Sequence, residues 1–244
     1  MDPWKKRLYD GYVSTGQASL GADLALLGQE GRNQYFDHVI RRHLPADKNL
    51  SIADLACGYG RLIHCLKRQG YQRVTGVDVS AEQVRLAHSL GLTEVQQDDV
   101  SDFLSRHPQA FDVAFLMDVL EHMEPGEMLR SLDAVAASVR PGGLVVIHVP
   151  NAEGLFGMHV RYGDLTHLSA FTRQSMSQLL TACGFVDVRC FEDTPVVHGL
   201  RSLVRSLLWR LLSWPFRLLL IAETGAGGHL LSQNMLVVAT RRRA

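Results

Sequence analysis

What is scarce in this sequence narrows its function before any motif is read. No surplus of one charge exists, because 25 basic side chains stand against 25 acidic ones in 244 residues. A protein that grips nucleic acid by its phosphates needs an excess of Lys and Arg, so the balance argues against nucleic-acid partners. Cysteine is sparse: Cys57, Cys65, Cys183 and Cys190 lie in apolar or glycine-rich surroundings, without Cys-x-x-Cys spacing. They read as buried free thiols in a reducing compartment rather than as a disulfide framework. Met1 to Lys5 opens no apolar leader, and the expectation is a cytoplasmic protein. What the chain does have is a 46% apolar fraction, enough for one domain with a substantial core.

The most informative stretch is Asp54-Leu-Ala-Cys-Gly-Tyr-Gly60, between the apolar run Leu50 to Ala53 and an amphipathic segment from Leu62. It reads as a strand, a tight glycine turn and a helix starting near Tyr59, the order of a nucleotide or nucleoside site on an α/β sheet. Gly58 and Gly60 let the backbone bend and leave room for a ligand. A dinucleotide fingerprint would carry a third glycine, and here that position is Ile63. Asp54, at the strand end, would repel a pyrophosphate but suits an ammonium or a bound water. A second strand, Arg73 to Val77, leads into Asp78, an acid suited to ribose hydroxyls. A cationic, ribose-containing ligand without phosphates satisfies these features, and S-adenosyl-L-methionine is such a ligand.

The chain thus resembles the class I S-adenosylmethionine-dependent methyltransferases, in particular the group with ubiquinone-pathway and sugar O-methyltransferases. The resemblance rests on Asp54 to Gly60, Gly76 to Ser80, Gln97-Asp98-Asp99, Phe111 to His122 and Arg140 to Ile147, spread over residues 30 to 192. It implies a Rossmann-like, seven-stranded, mostly parallel sheet with helices on both faces and a last strand running antiparallel between the fifth and sixth. It also implies a cofactor set of Asp54, Ala56, Gly58, Gly60, Asp78, Val79, Asp98, Asp99 and Met117. Asp54 would sit near the methionine amino group, Val79 over an adenine face, and Asp98 near the adenine amino group. Asp99 would cap the next helix or offer its backbone N–H, and Met117 would present its carbonyl beside the sulfonium.

Strands are expected at Ser51 to Leu55, Arg73 to Val77, Thr93 to Gln96, Asp112 to Met117, Gly143 to Val149, Phe185 to Phe191 and Asn234 to Thr240. Intervening helices at Asn33 to His43, Tyr59 to Gln69, Ala81 to Ser89, Val100 to His107, Gly126 to Val139 and Arg173 to Cys183 imply right-handed crossovers. Residues 1–30 read as an arm or lid, with Tyr9 and Tyr12 as substrate-closing aromatics, and 31–244 as the methyltransferase domain. The loop at 150–171 is the expected substrate loop. There His167 is the candidate base oriented by Asp164, with His122 as another candidate, while His148, Arg161 and Tyr162 would meet the acceptor. No metal is expected, because these residues lack a secure coordination spacing.

Residues 194–222 stand out: Arg201, Arg205, Arg210 and Arg217 interleave with leucines and tryptophans, with no acid among them. No uncharged apolar run there approaches the ~20 residues that span a bilayer. Pro215 predicts two short helices rather than one. A helix pair packed on the sheet or forming a homodimer contact, an anionic membrane surface at the inner face, and a cover for the acceptor site all fit. The leading functional expectation is O-methylation of a sugar hydroxyl in a bacterial glycan or lipid-linked saccharide, by in-line SN2 transfer. A quinone or small-lipid O-methyltransferase is the alternative, and a noncatalytic S-adenosylmethionine-binding partner protein the third reading.

Overall fold

The computed structural model of the chain describes residues 30–243. Tyr9, Tyr12 and the arm expected to carry them lie outside the described residues. The first half runs α1 (Glu30–His43), β1 (Ser51–Leu55), α2 (Arg61–Arg68), β2 (Arg73–Asp78), α3 (Ala81–Ser89), β3 (Val95–Gln97), α4 (Val100–Ser105) and β4 (Phe111–Met117). A 3-10 turn, Leu120–His122, leads to α5 (Pro125–Ser138), β5 (Val139–Pro150), α6 (Gly157–Gly163), α7 (Arg173–Ala182), β6 (Phe185–Glu192), α8 (Leu200–Thr224) and β7 (Asn234–Arg241).

The strands form one sheet in the order β3-β2-β1-β4-β5-β7-β6, with β7 antiparallel to both β5 and β6. This is the Rossmann-like, mostly parallel arrangement expected from the sequence. Alternation along the strands builds two cores. Ile52, Val113, Phe115 and Val146 face α1, α2 and α3, whereas Ala53, Leu55, Ala114, Leu116, Val145 and Ile147 face α4, α5 and α7. Each fully buried leucine or isoleucine contributes about 1.5–3 kcal/mol relative to an exposed one, so both faces hold the sheet flat against its helices. The chain leaves the sheet centre in opposite directions from β1 and β4, and the crevice above their carboxyl ends is where such sheets bind ligands.

Several expected boundaries move for local reasons. Helix α2 starts at Arg61 rather than Tyr59, because Gly60 takes a left-handed conformation, φ 82°, that no helix continues through. Strand β5 begins at Val139, pairing with Phe111 across an irregularity before regular pairing resumes at Leu144. The loop after β5 contains a short helix, α6. Gly157 enters it so close to Asn151 that a Cβ there would lie 1.7 Å from the Asn151 carbonyl oxygen. The largest correction is α8: most of the 194–222 stretch lies in one long helix, Leu200–Thr224, that passes through Pro215, not two. The missing N–H would orphan the carbonyl of Leu211, but Leu211 is exposed and water can satisfy it.

Candidate functional site

The turn after β1 is built from backbone and two acids. Ala56 has φ 57°, Cys57 donates its N–H to Val77 O at 3.0 Å, and Gly58 donates to Asp78 Oδ2 at 2.8 Å. Ser80 donates its N–H to the other Asp78 oxygen, also at 2.8 Å. The Asp78 carboxylate therefore braces the turn. Each of its oxygens keeps a further lone pair for a ribose hydroxyl.

Asp54 lies beneath this turn and is 2% exposed. Burial, reinforced by the neighbouring Asp78 charge, pushes its carboxyl up to about 8. Such a group is neutral at pH 7 until a cation arrives. Among the described residues a Cβ built on Gly58 would meet only Gln83 Oε1, at 3.8 Å, and that buried oxygen has no hydrogen-bond partner among them. Val79, directly after Asp78, is an exposed apolar side chain at the rim. Asp98 follows β3, donates its N–H to Asp78 O at 3.1 Å and pairs its carboxylate with Arg106. Asp99 caps α4 by accepting from Ser101 and Asp102 N–H. Met117 ends β4 across the crevice, paired in register with His148.

Beyond Met117 lies a cluster that local sequence could not show. Asp118, at φ 58°, places its carboxylate 2.5 Å from His148 Nδ1, and Asp193 Oδ2 approaches His148 Nε2 at 3.2 Å. Burial alone would strip the His148 proton; the two carboxylates reverse that and raise its pKa well above the ordinary value. In turn, although burial works upward, the His148 charge holds Asp118 below the usual carboxylate range. His148, expected to face an acceptor, is instead buried with both nitrogens engaged, and the exposed member of the group is Asp118. Tyr35 from α1 stands edge-on to His148, its buried hydroxyl without a hydrogen-bond partner among the described residues.

The substrate loop folds over the 3-10 turn. Leu168 and Ser169 donate their N–H groups to the Glu121 carbonyl, and Asn151 Nδ2 pins the start of the loop to Leu230 O and Ser232 O at 2.9 and 2.8 Å. Within it, Thr166 donates its hydroxyl to Asp164 Oδ1 at 2.7 Å, and Thr166 Oγ1 lies 2.9 Å from His122 Nδ1. With that hydroxyl hydrogen on Asp164, the Thr166 oxygen accepts from His122 Nδ1–H. His167 Nδ1 donates to Val160 O at 3.0 Å, and the His122 and His167 rings meet edge to face with centroids 4.7 Å apart. Burial, then the adjacent His167, lowers His122 to about 4, so it is neutral at pH 7.

Glu121 is 1% exposed and is pushed up to about 8 by burial and then Asp118. The structure thus brings His122, Asp164 and His167 together as the sequence reading grouped them. The Asp164 carboxylate acts through Thr166 toward His122, while a backbone carbonyl sets the His167 ring. Arg161 donates to Leu168 O at 2.7 Å and stacks on Tyr162, which is 72% exposed. Asp118, Glu121, Thr166 and Asp193 were missed as members of the site. Asp118 and Glu121 lie inside a quoted motif and Thr166 inside the dense polar run Asp164 to His167, whereas nothing in the local sequence marks Asp193.

The model of a family described as "Methyltransferase domain" matches residues 29–189, more than half of the chain. The chain belongs to this methyltransferase domain family. Its cofactor is S-adenosyl-L-methionine, and the residues present fit it: a buried acid in β1, an acid at the end of β2, a glycine with only a van der Waals neighbour at its Cβ position and an exposed valine at the rim. Among curated relatives, the Ubiquinone biosynthesis O-methyltransferase of Klebsiella pneumoniae is 34% identical over 108 residues, 42% of this chain and 43% of that protein. The Yersinia pestis protein of the same name is 35% identical over 106 residues, 41% and 42% of the two chains. The match thus spans less than half the length of these curated relatives.

Solved structures extend the likeness in fold. A SAM-dependent methyltransferase from Archaeoglobus fulgidus superposes with a TM-score of 0.65 at 20% identity, covering 88% of this chain and 98% of that one. The Haloferax volcanii complex of the Trm112 methyltransferase activator with a methyltransferase gives 0.67 at 16%, covering 96% and 97%. The [4+2]-cyclase SpnF shares the fold as well, at 0.59, 19% identity and coverage of 88% and 84%, so the architecture by itself does not name a reaction.

Proposed function

We propose that the protein transfers a methyl group from S-adenosylmethionine to a hydroxyl oxygen of a quinone-type ring or other small lipid. The observation that carries this reading is the apolar outer face of α8, placed at the ligand end of the sheet. Leu203, Leu207, Leu208, Leu211, Leu212 and Trp214 are exposed, while Ser202, Ser206 and Ser213 turn inward. Arg217 of the same helix holds Glu192 with two 2.7 Å contacts, at the carboxyl end of β6. Because β7 is antiparallel to both neighbours, that end of β6 lies on the same side as the carboxyl end of β5 and the cofactor turn. An exposed apolar face with exposed Arg201 and Arg205 suits the surface of an anionic bilayer. Among the described residues, no helix is long and apolar enough to cross a membrane. The names of the ubiquinone-pathway relatives support the same acceptor class.

Bound S-adenosylmethionine supplies an electrophilic methyl group on a sulfonium. The chain's own residues align and deprotonate. Asp54 and Asp78 hold the two ends of the cofactor. The cluster of His122, Asp164, Thr166 and His167 lies beside the carboxyl end of β4, where the acceptor oxygen is placed in line with the methyl carbon. With its Nδ1 hydrogen on Val160 O, His167 presents Nε2 as the nitrogen that accepts a hydroxyl proton. A saccharide hydroxyl is the second reading, supported by the exposed Tyr162 ring backed by Arg161, a platform suited to a sugar face. Methyl-labelled cofactor offered with a panel of polyprenyl phenols and lipid-linked saccharides separates the two. Labelled phenol ether supports the first reading, labelled saccharide replaces it with the second, and cofactor binding without transfer to any acceptor would sink both.

A further inference from the structure

We infer that Glu121, His122 and His167 form a binding site for a divalent transition-metal ion with a coordination position left open for an acceptor oxygen. One ligand atom from each lies within 4.8 Å of the others, close enough to converge on one ion with small side-chain rotations. Two imidazoles and one carboxylate are a donor set that suits Zn2+ and related first-row ions, and three protein ligands leave a fourth position open.

Two further observations separate this cluster from a chance grouping. Among the described residues Glu121 Oε2 has no hydrogen-bond partner, on a buried residue only 1% exposed, a costly arrangement unless something at the site completes it. Both rings are also held from behind in the way metal-ligating histidines are. His167 Nδ1–H is on Val160 O, and His122 Nδ1 is on Thr166 Oγ1, which passes its own hydrogen to Asp164. Each contact directs the Nε2 edge of its ring away from the bracing group. No spacing rule could have found the set, because Glu121 and His122 follow β4 while His167 arrives on the loop after α6.

For the reaction, the inference rests on the transferase reading and revises one role within it. An acceptor hydroxyl bound to the ion becomes acidic enough to release its proton to solvent water. Its oxygen then bonds the methyl carbon as the carbon–sulfur bond breaks and that electron pair leaves with sulfur. His167 is in that case a ligand rather than the base.

Zn2+ binding is measurable without any acceptor. Protein stripped with a chelator is titrated with Zn2+ against a chromophoric competitor, and S-adenosylhomocysteine binding is followed in parallel. One Zn2+ per chain is expected for the wild type and for His198→Gln, which alters an exposed histidine elsewhere. His167→Ala and Glu121→Gln should lose that uptake, and Thr166→Val, which removes the brace behind His122, should weaken it about 10–100-fold. Co2+ in place of Zn2+ should give visible absorption bands that vanish in His167→Gln, a polar variant that guards against a failure to fold. Absence of Zn2+ uptake by the wild type, or unchanged uptake in both His167→Ala and Glu121→Gln, would overturn the inference. In either event the cofactor titration stands on its own, and loss of S-adenosylhomocysteine binding would count against the transferase reading instead.

Discussion

Asp54 meets opposite demands before and after ligand binding. Without a cation, burial keeps its proton on up to about pH 8, against an ordinary value of 3.8. Between those two values the folded chain binds a proton that the unfolded chain has lost. The stability this contributes is fully present below 3.8 and is lost as pH rises through about 8. Unfolding titrations of ligand-free protein should show that decline, and Asp54→Asn should flatten it. The same variant should weaken S-adenosylmethionine binding about 10–100-fold, since a charge-assisted hydrogen bond is worth roughly 1.5–3 kcal/mol. Calorimetry in buffers of different ionisation heat should detect a proton released on binding at pH 7 by the wild type alone. His148 follows the same sign through a different cause, its two carboxylate partners. Its raised pKa gives stability that is complete below 6.5 and lost as pH climbs through the folded value. His148→Gln leaves Asp118 and Asp193 without their shared cation. Allowing for the exposure of Asp118, the cost should be about 2 kcal/mol in urea unfolding, and the alkaline decline should disappear with it.

At the scale of elements, α8 departs most from an ordinary surface helix, with serines inside and leucines outside. If that face seats on a bilayer, Leu207→Glu together with Leu211→Glu should abolish flotation with anionic vesicles and leave the sheet and its cofactor affinity intact. Arg201→Ala with Arg205→Ala should make the residual flotation insensitive to salt, because screening acts only on the charged part of the attraction. Wild-type protein that stays at the bottom of the gradient would remove the membrane from the reading. The length of α8 was not legible in the sequence: Pro215 announces a break, and only the exposure of Leu211 makes the break tolerable. By contrast β1, α2 and β2 were legible almost residue by residue, because glycine turns and strand alternation are local signals. The site was legible to the extent that its residues sit in one motif. Asp54, Asp78, His122 and His167 could be named, but the approach of Asp193 to His148 from the end of β6, and of His167 to Glu121, depends on the crossovers that bring those elements together.

At the scale of the whole molecule, the two cores share every central strand, so neither half of the sheet can open without exposing both. In the proposed binding mode the cofactor spans the seam between the halves, with Asp54 and Asp78 on the β1–β2 side and Met117 on the β4 side. A ligand bound there stabilises the folded chain as one unit by about 2.7 kcal/mol when present at 100 times its dissociation constant. For a domain of this size, each kcal/mol moves the melting temperature by about 2–4 °C. S-adenosylhomocysteine should therefore raise a single melting transition by about 5–10 °C in a scanning-calorimetry experiment. The same ligand concentration should shift Asp54→Asn by about half as much or less, because 10–100-fold weaker binding leaves roughly 0.4–1.4 kcal/mol of that stabilisation. A transition that splits in two on adding ligand, with only the earlier part moving, would mean that the halves melt separately and that the crevice between β1 and β4 is not where the cofactor holds them together.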